Sequence, residues 1–294
     1  MTISPRELVA DTLHLISLPE IFLRVNEIVD DPYHSPADFG RVLSHDPDMT
    51  ARLLKIVNSP FYGFAYGVSG KIESVSHAIT VIGTKGLRDL ILATSVIKVF
   101  SGIPNDLVTM ESFWHHSIGC ALVARGLAIR YAESGQRHEL HPERFFIAGL
   151  LHDIGSLLIY RKIPELAREV LLRTAHQGEV LHVAEHAVMG FDHAAVGGEL
   201  LRVWNLPKHL EEAVAFHHAP ETTIHFPVDA ALIHVANIIA TAVCFGNSGN
   251  QYVAPLQNTA WDIIGLSANV IEPVVIEAET HFGETLRLLQ PDAG

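Results

Sequence analysis

Apolar residues recur at the three- and four-residue spacing of an α-helix along almost the whole chain, and this periodicity most limits the folds that it can adopt. The dipeptides Ser35-Pro36 and Asp46-Pro47 each place an N-capping side chain before a proline at the first helical position. Leu87, Leu90 and Ile91 follow one face of a later helix. No stretch of sequence alternates apolar and polar residues well enough to favour a strand. We therefore predict an all-α fold built from two packed helical lobes.

Two breaks divide this run of helices. The segment Ser101-Gly102-Ile103-Pro104-Asn105 is the best internal boundary, and Gly246 to Asn250 is predicted to be a flexible turn. A smaller break is predicted at Gly83, which can cap one helix before Thr84 caps the next. The predicted domains are an N-terminal helical lobe over residues 1–104, a second helical lobe over 105–245, and C-terminal helices over 246–294.

A His-Asp pair lies inside the apolar run from Ala148 to Gly155. His152 and Asp153 need partners if they are buried, because an unpaired charge is costly to remove from water. One interpretation is a core histidine that hydrogen-bonds its neighbour or a backbone carbonyl, and the other is a pair of metal ligands. Gly149, one turn before the pair, would let another helix or a ligand approach closely.

The histidine content favours the metal interpretation. The chain has 19 histidines, which exceeds its 13 phenylalanines and its 6 tyrosines. Imidazole, carboxylate and amide side chains lie on five separate predicted helices, and helical bundles build buried metal sites from facing helices in this way. The candidate ligands are His116, His152, Asp153, His193, His217, His218 and Asn237. Six other histidines are predicted to lie at the surface or at helix ends, namely His14, His34, His138, His141, His176 and His225.

The positions of three candidate ligands within their helices predict different charges. His193 follows the predicted N-cap Asp192, where the helix dipole keeps an imidazole neutral, as a metal ligand must be. His217 and His218 fall at a helix C-terminus, where the dipole favours the cation. Metal binding or exposure to solvent would decide between these states.

Charge and hydropathy exclude several classes of function. The formal net charge of −13 opposes binding to a phosphate backbone, so no nucleic-acid partner is expected. No apolar run reaches the roughly 18 residues of a membrane span, and the N-terminus lacks the pattern of a signal peptide. Cys120 and Cys244 are too few for a disulfide framework and lie in apolar helical pattern, which predicts two buried thiols. The expected location is the cytoplasm, without a membrane partner.

Several motifs carry a family resemblance. The sequences His116-Ser117, Leu150-Leu151-His152-Asp153-Ile154-Gly155, Asp192-His193-Ala194-Ala195-Val196-Gly197 and His217-His218 resemble the successive motifs of the HD superfamily of metal-dependent phosphohydrolases. Asp46 to Gly63, Ala78 to Gly83 and Trp204-Asn205-Leu206-Pro207 are similar to the HDOD domain, the HD-related output domain of bacterial signalling proteins. The resemblance covers residues 15 to 220 or so.

This resemblance implies an HD-type helical bundle in which the seven candidate ligands bind a divalent transition metal such as Fe, Mn, Ni or Zn. In HD phosphohydrolases the metal activates water, and an aspartate, here Asp153, can bridge two ions. The last ligand in that superfamily is usually an aspartate in an Ala-Asp dipeptide, whereas this chain has Ala236-Asn237. An amide oxygen is a weaker ligand than a carboxylate for a hard cation. Asp229, on the same predicted helical face as Asn237, is an alternative carboxylate.

Two functions follow from the resemblance. The first is a bacterial signal-transduction protein, of the response-regulator output type, that acts through interaction with signalling proteins and keeps a retained or vestigial metal site. The second is a metal-dependent phosphohydrolase or phosphodiesterase acting on a nucleotide or phosphoester, in which Asp153 would be catalytic. Ser156 and Ala219-Pro220 stand where the related HD-GYP phosphodiesterases carry a lysine and a Gly-Tyr-Pro loop, which favours the first function. The aromatic turn from Phe61 to Tyr66 would then pack across the lobe interface or receive a partner.

Overall fold

The computed structural model describes residues 3–11, 18–29, 31, 33–60, 71–100, 106–135 and 141–289. Every regular element in these ranges is helical and none is a strand, which confirms the predicted all-α fold. No single helix within the same ranges is long and apolar enough to cross a membrane. The helices Asn258–Ile264 and Ala268–Leu289, which are bent by 83° at the break between them, pass that test only as a pair.

The helix bounds, in chain order, are as follows: α1 Pro5–Ala10, α2 Glu20–Ile28, α3 Pro36–Leu43, α4 Pro47–Val57, α5 Val75–Val99, α6 Met110–Glu133, α7 Pro142–Leu151, α8 Ile154–Lys162, α9 Pro164–Gln177, α10 Leu181–Met189, α11 His193–Val203, α12 Lys208–Ala215, α13 Pro227–Val243, α14 Asn258–Ile264 and α15 Ile271–Leu289. Short 3-10 helices at Pro220–Thr222 and Ala268–Val270 precede α13 and α15.

The local start and stop signals act as the sequence predicts. Helix α3 begins with a capping box, in which the Asp38 carboxylate accepts a hydrogen bond from the Ser35 amide at 2.7 Å. Asp46 caps α4 by accepting from the Met49 amide at 2.9 Å. Gly83 interrupts α5 with φ 75° and ψ 166°, which confirms the predicted break because an L side chain rarely adopts that φ.

The backbone divides into two compact units. The smaller unit comprises residues 17–99 and 283–294, and the larger unit comprises residues 1–16 and 100–282. The larger unit therefore includes α1 and α14 together with all seven candidate ligands. The division into three domains stays a prediction.

The smaller unit buries the apolar faces of α2 to α5, with Phe22, Phe39 and Leu53 among its fully enclosed side chains. The amide of Asn58 ties the end of α4 to the chain before α5. Its Nδ2 donates to the carbonyl of Ile72 at 2.7 Å, and its Oδ1 accepts from the Ile72 amide at 2.8 Å. The aromatic turn from residue 61 to 66 lies outside the described residues.

The larger unit depends on two close helix contacts. Helix α7 packs on α6, and a Cβ at Gly149 would lie only 2.7 Å from the Cα of Ala121, which confirms the predicted close approach. Helix α8 packs on α11, and a Cβ at Gly155 would overlap the carbonyl oxygen of His193. Both glycines let backbones meet where the candidate ligands are carried.

Two sequence predictions in this unit need correction. Cys120 is buried, but Cys244 is exposed, because it follows the last turn of α13 as a C-cap with φ 62° and lies outside the apolar face. The predicted flexible turn at residues 246–250 is held by hydrogen bonds at its middle and its last residue. Tyr160 Oη donates to the Ser248 carbonyl at 2.7 Å, and Asn250 Oδ1 accepts from the amide at the start of α10 at 3.2 Å.

Candidate metal centre

The candidate ligands come from separate elements of the larger unit. His116 lies in α6, His193 is the first residue of α11, and Asn237 lies in α13. His217 and His218 follow the end of α12. The candidate ligands therefore lie on or next to the helices on which the sequence places them.

The His-Asp pair departs from the prediction in one respect. Helix α7 ends at Leu151 and α8 begins at Ile154, so the pair lies in the junction between two helices and not within one. Asp153 is the N-cap of α8, with φ −99° and ψ 10°. The carboxylate thus lies at a helix N-terminus, where the dipole favours negative charge.

Asp153 is the centre of the cluster. Its Oδ2 lies 3.1 Å from Nε2 of His152 and 3.6 Å from Nε2 of His116. Its Oδ1 lies 3.1 Å from Nε2 of His193 and 3.6 Å from Nε2 of His217. All five side chains are buried. One carboxylate therefore faces two pairs of imidazoles, one pair on each oxygen.

The two remaining candidates extend these two groups. Nε2 of His218 lies 2.9 Å from Nε2 of His193, and Oδ1 of Asn237 lies 3.1 Å from Nε2 of His116. Ligand atoms within 4.8 Å of one another form two triads, which are His116 with His152 and Asp153, and His193 with His217 and His218. The structure thus brings all seven predicted residues together.

Hydrogen bonds orient the imidazole rings. Nδ1 of His152 lies 2.7 Å from the carbonyl of Gly149, and Nδ1 of His217 lies 2.8 Å from the carbonyl of Val214. A carbonyl only accepts, so Nδ1 must carry the proton in both rings. In the neutral imidazole this leaves the Nε2 lone pair directed at Asp153 and available to a metal.

Glu185 in α10 performs the same task for His193, and sequence reasoning missed it. Its Oε2 lies 2.6 Å from Nδ1 of His193 and accepts from the His193 amide at 2.9 Å. Glu185 is only 1% exposed, and burial raises the pKa of this carboxyl although the nearby His193 lowers it. The signal in the sequence was an acid four residues after Leu181, on the apolar face of its helix.

Two further histidines border the cluster and were also missed. His182 stacks on His218 with ring centroids 4.0 Å apart and an interplanar angle of 17°. Nδ1 of His234 lies 2.8 Å from the carbonyl of His217. Only the fold brings them near, because neither residue belongs to a recognisable motif.

Burial decides the protonation of three of the ligands. It lowers the pKa of His116 to about 4 and the pKa values of His217 and His218 well below the usual range, and neighbouring histidines add to the effect. The helix C-terminus before His217 and His218 was expected to favour the cation. Burial outweighs that dipole, so these imidazoles are neutral at neutral pH, as metal ligands must be.

The other two imidazoles are coupled to Asp153. Burial alone would lower the pKa values of His152 and His193, but the charge of Asp153, joined at His193 by that of Glu185, raises both. Burial would raise the pKa of Asp153, but His152 and His193 lower it well below the usual range. Protons on His152 and His193 therefore offset the negative charge of the buried carboxylate. They lie where a metal cation would bind.

The unsatisfied polar atoms of the cluster fit a metal ion. Nε2 of His152, Nε2 of His217 and Oδ1 of Asp153 are buried and make no well-aligned hydrogen bond, although Asp153 lies 3.1 Å from Nε2 of both His152 and His193. Buried polar atoms rarely remain unpaired, because no hydrogen bond then offsets the free energy lost when they leave water. A cation bound between the imidazoles and the carboxylate would satisfy all three.

Asp229, the alternative carboxylate, does not face the cluster. Oδ2 of Asp229 accepts from Nη2 of Arg144 at 2.8 Å, so this carboxylate is paired outside the cluster. Four of the histidines predicted at the surface are exposed, namely His34, His141, His176 and His225. His14 and His138 lie outside the described residues.

Comparison with known proteins gives a family and a fold. Residues 15–220 match the HDOD domain family. A curated relative, an uncharacterized protein of Treponema pallidum, is 25% identical over 208 residues, which are 69% of this chain. The chain spans only 38% of the length of that relative.

Solved structures of similar fold match almost the whole chain. An HDOD domain protein of unknown function from Geobacter sulfurreducens is 23% identical with a TM-score of 0.72, and 97% of each chain is covered. A protein named as a candidate phosphohydrolase from Shewanella amazonensis is 21% identical with a TM-score of 0.71, covering 96% of this chain and 98% of the other. A candidate signal transduction protein from Marinobacter aquaeolei gives the same identity and TM-score, covering 96% of this chain and 61% of the other. At these identities the likeness shows the fold alone.

Proposed function

Because the chain belongs to the HDOD domain family, we propose that it is a bacterial signalling protein whose larger unit binds a divalent transition metal and whose output is interaction with other signalling proteins. One observation carries the metal assignment. Four imidazoles from separate parts of the chain face the buried carboxylate of Asp153, and three of the buried atoms in this cluster make no well-aligned hydrogen bond.

The ligand chemistry narrows the choice of metal. Five of the seven candidate ligands are imidazoles, which suit Fe, Mn, Ni or Zn better than the oxygen-seeking Mg or Ca. Glu185 and the carbonyl groups of Gly149 and Val214 hold three of these imidazoles with Nε2 turned inward. Such outer partners fix ligand orientation and strengthen metal binding.

The charge of the set favours a regulatory role over catalysis. Asp153 is its only carboxylate, and Asn237 offers a neutral amide oxygen beside His116. One carboxylate would compensate only a small part of the positive charge of two divalent ions. This limits how firmly the site can bind both. One solved structure of this fold, from Marinobacter aquaeolei, is named a candidate signal transduction protein, which agrees with this role.

A metal-dependent phosphohydrolase is the second candidate, and one observation favours it. The two oxygens of Asp153 face separate imidazole pairs, so the carboxylate is placed to serve two metal positions. When bound there, metal ions would lower the pKa of water and polarise a phosphoryl oxygen. Asp153 would hold both positions, and Glu185 would keep His193 in the tautomer that binds.

Elemental analysis tests the metal assignment. Protein purified without added metal should contain a transition metal in near-stoichiometric amount, and His152→Ala combined with Asp153→Ala should remove it. His176→Ala is the matched control, because that imidazole is exposed and outside the cluster. A content far below one equivalent in the unaltered protein would refute the proposed centre.

An activity screen separates the two functions. The protein loaded with Mn, Fe or Ni is assayed against phosphomonoesters and phosphodiesters. The regulatory role predicts no turnover above that of the His152→Ala, Asp153→Ala variant. Turnover that disappears in this variant would instead establish the phosphohydrolase.

A further inference from the structure

Two side chains hold the backbone turn that carries His217 and His218. Helix α12 ends at Ala215, and within the described ranges neither the His217 carbonyl nor the His218 carbonyl accepts a hydrogen bond from a backbone amide. Nδ1 of His234 donates to the His217 carbonyl at 2.8 Å, and Nε2 of Gln257 donates to the His218 carbonyl at 2.6 Å. Each carbonyl is thus bound by a side chain from another part of the larger unit.

His234 and Gln257 are also joined to each other. The Gln257 amide donates to Nε2 of His234 at 3.2 Å, so Nδ1 of that ring carries the proton and both ring nitrogens have a partner. Gln257 is the N-cap of α14, but its side chain makes no capping bond and reaches the His218 carbonyl instead. His234 lies in α13, three residues before the candidate ligand Asn237. These bonds form one network at the edge of the metal centre.

Two consecutive residues can direct their rings to the same place only if the backbone between them is fixed. The ring centroids of His217 and His218 lie 3.9 Å apart, and their ligand atoms lie within 4.8 Å of each other and of the ligand atom of His193. A cavity of about 330 Å³ borders His218, His234 and Gln257, so close packing does not hold the turn on this side. The conformation of the turn therefore depends on the two bonds to its carbonyls.

We propose that His234 and Gln257 are positioning residues for metal binding, which keep His217 and His218 in the geometry that a cation requires. This inference rests on the proposed metal centre and adds to it two residues that are not ligands. Replacement of the outer partners of metal ligands typically lowers metal affinity by about 10- to 100-fold. The network also joins the centre to the surface segment 251–257, so metal binding and the order of that segment are linked.

Replacing His234 tests the bond to the His217 carbonyl. The amide nitrogen of asparagine takes the place of Nδ1 of histidine, whereas that of glutamine takes the place of Nε2, so only His234→Asn keeps the donor. We expect His234→Gln to lower Zn²⁺ affinity by about tenfold or more, and His234→Asn to stay within about threefold of the unaltered chain. Competition with a chromophoric chelator measures both. Equal loss in the two variants would show that His234 acts by packing and not through this bond.

Replacing Gln257 tests the bond to the His218 carbonyl. Gln257→Met keeps the length of the side chain and the backbone amide but removes the donor, so Zn²⁺ affinity should again fall by about tenfold. Gln251→Met, at an exposed position of the same segment, is the matched control and should bind Zn²⁺ as the unaltered chain does. If His234→Gln fails to fold by circular dichroism, Gln257→Met at its half-buried position carries the test.

The visible absorption of the Co²⁺-loaded chain separates positioning from a general loss of stability. The absorption bands of Co²⁺ depend on its coordination geometry, so they should change shape in His234→Gln and Gln257→Met and stay the same in His234→Asn. Lower affinity with an unaltered spectrum in every variant would mean that the two residues only stabilise the fold. That result, or unchanged affinity in both His234→Gln and Gln257→Met, would overturn the inference.

Hydrogen exchange tests the link to the surface segment. Saturating Zn²⁺ should slow exchange of the amides in residues 251–257 of the unaltered chain, and should slow it less in His234→Gln, because one bond of the network is then missing. Helix α3 in the smaller unit is the control for a general effect on stability. Equal exchange in the segment with and without Zn²⁺ would overturn the link.

Failure of this inference and failure of the proposed metal centre give different results. If the unaltered chain binds metal stoichiometrically and the folded variants bind it equally well, only the positioning roles are wrong. If the unaltered chain binds no metal, the metal centre is refuted and the positioning roles are refuted with it.

Discussion

Two buried aspartates in the larger unit show how one kind of side chain serves structure in one place and a binding site in another. Asp153 and Asp229 are each 3% exposed. Asp229 is paired with Arg144, whose guanidinium is a permanent charge, at 2.8 Å. Asp153 faces the imidazoles of four histidines, and Nε2 of His152 and of His217 make no well-aligned hydrogen bond. A satisfied ion pair needs nothing more, whereas the imidazole cluster is complete only with a cation.

Replacing Asp153 should reduce metal binding more than any other change. We expect Asp153→Asn to remove essentially all bound transition metal, because the only carboxylate among the candidate ligands, which faces imidazoles of both triads, is lost. Metal content by elemental analysis and the metal-dependent rise in melting temperature measure the effect. Retention of full metal content would show that Asp153 is no more a ligand than Asp229.

Replacing Glu185 should have the next largest effect. Glu185→Gln keeps the size of the side chain but weakens the bond to Nδ1 of His193, so metal affinity should fall by about 10- to 100-fold. Competition with a chromophoric chelator measures the affinity. Glu279→Gln, at an exposed position of α15, is the control and should leave affinity unchanged. An unaltered affinity in Glu185→Gln would mean that Glu185 does not position His193 for binding.

Acidification should weaken metal binding by up to about tenfold per pH unit for each proton displaced. The pKa values of His152 and His193 are raised, against the effect of burial, by the neighbouring carboxylates, so both imidazoles must lose a proton before they bind. Affinity should therefore rise with pH until the pH exceeds their raised pKa values. Titration calorimetry in buffers of different ionisation enthalpy should detect the released protons. A pH-independent affinity would contradict the proton-for-metal exchange.

Replacing Asp229 should have the smallest effect on the metal. Asp229→Asn weakens the bond to Arg144 and should lower the free energy of unfolding by about 1–3 kcal/mol, while metal content stays the same. Urea denaturation of the metal-free protein measures the stability. Loss of metal in this variant would indicate that Asp229 belongs to the centre, as one interpretation of the sequence allowed.

The sequence predicted helix starts well because they depend on short-range patterns. The Ser35 and Asp46 caps are decided by side chains that contact the backbone within a few residues, and the break at Gly83 is decided by the absence of a side chain there. The prediction was wrong at Cys244, and the junction between α7 and α8 was missed. Helix ends depend on one or two residues, and helical periodicity does not locate them that closely.

Residues around the site were harder to predict than the ligands. Glu185 and His182 belong to α10, and their roles arise from contacts with His193 and His218 on other elements. Neither contact has a sequence signature, because the partners are 8 and 36 residues away. Similarly, burial reversed the charge expected for His217 from its helix end, since desolvation exceeded the dipole.

The sequence by itself determined the all-α class and the seven candidate ligands, because helical periodicity and motif spacing are properties of the chain. Only the tertiary structure decided which atoms of these ligands face Asp153 and which carboxylates stay outside the cluster. It also decided that a cavity adjoins His218 and Asn237. Those outcomes depend on close backbone approaches, such as Gly155 against His193, that join parts of the chain far apart in sequence.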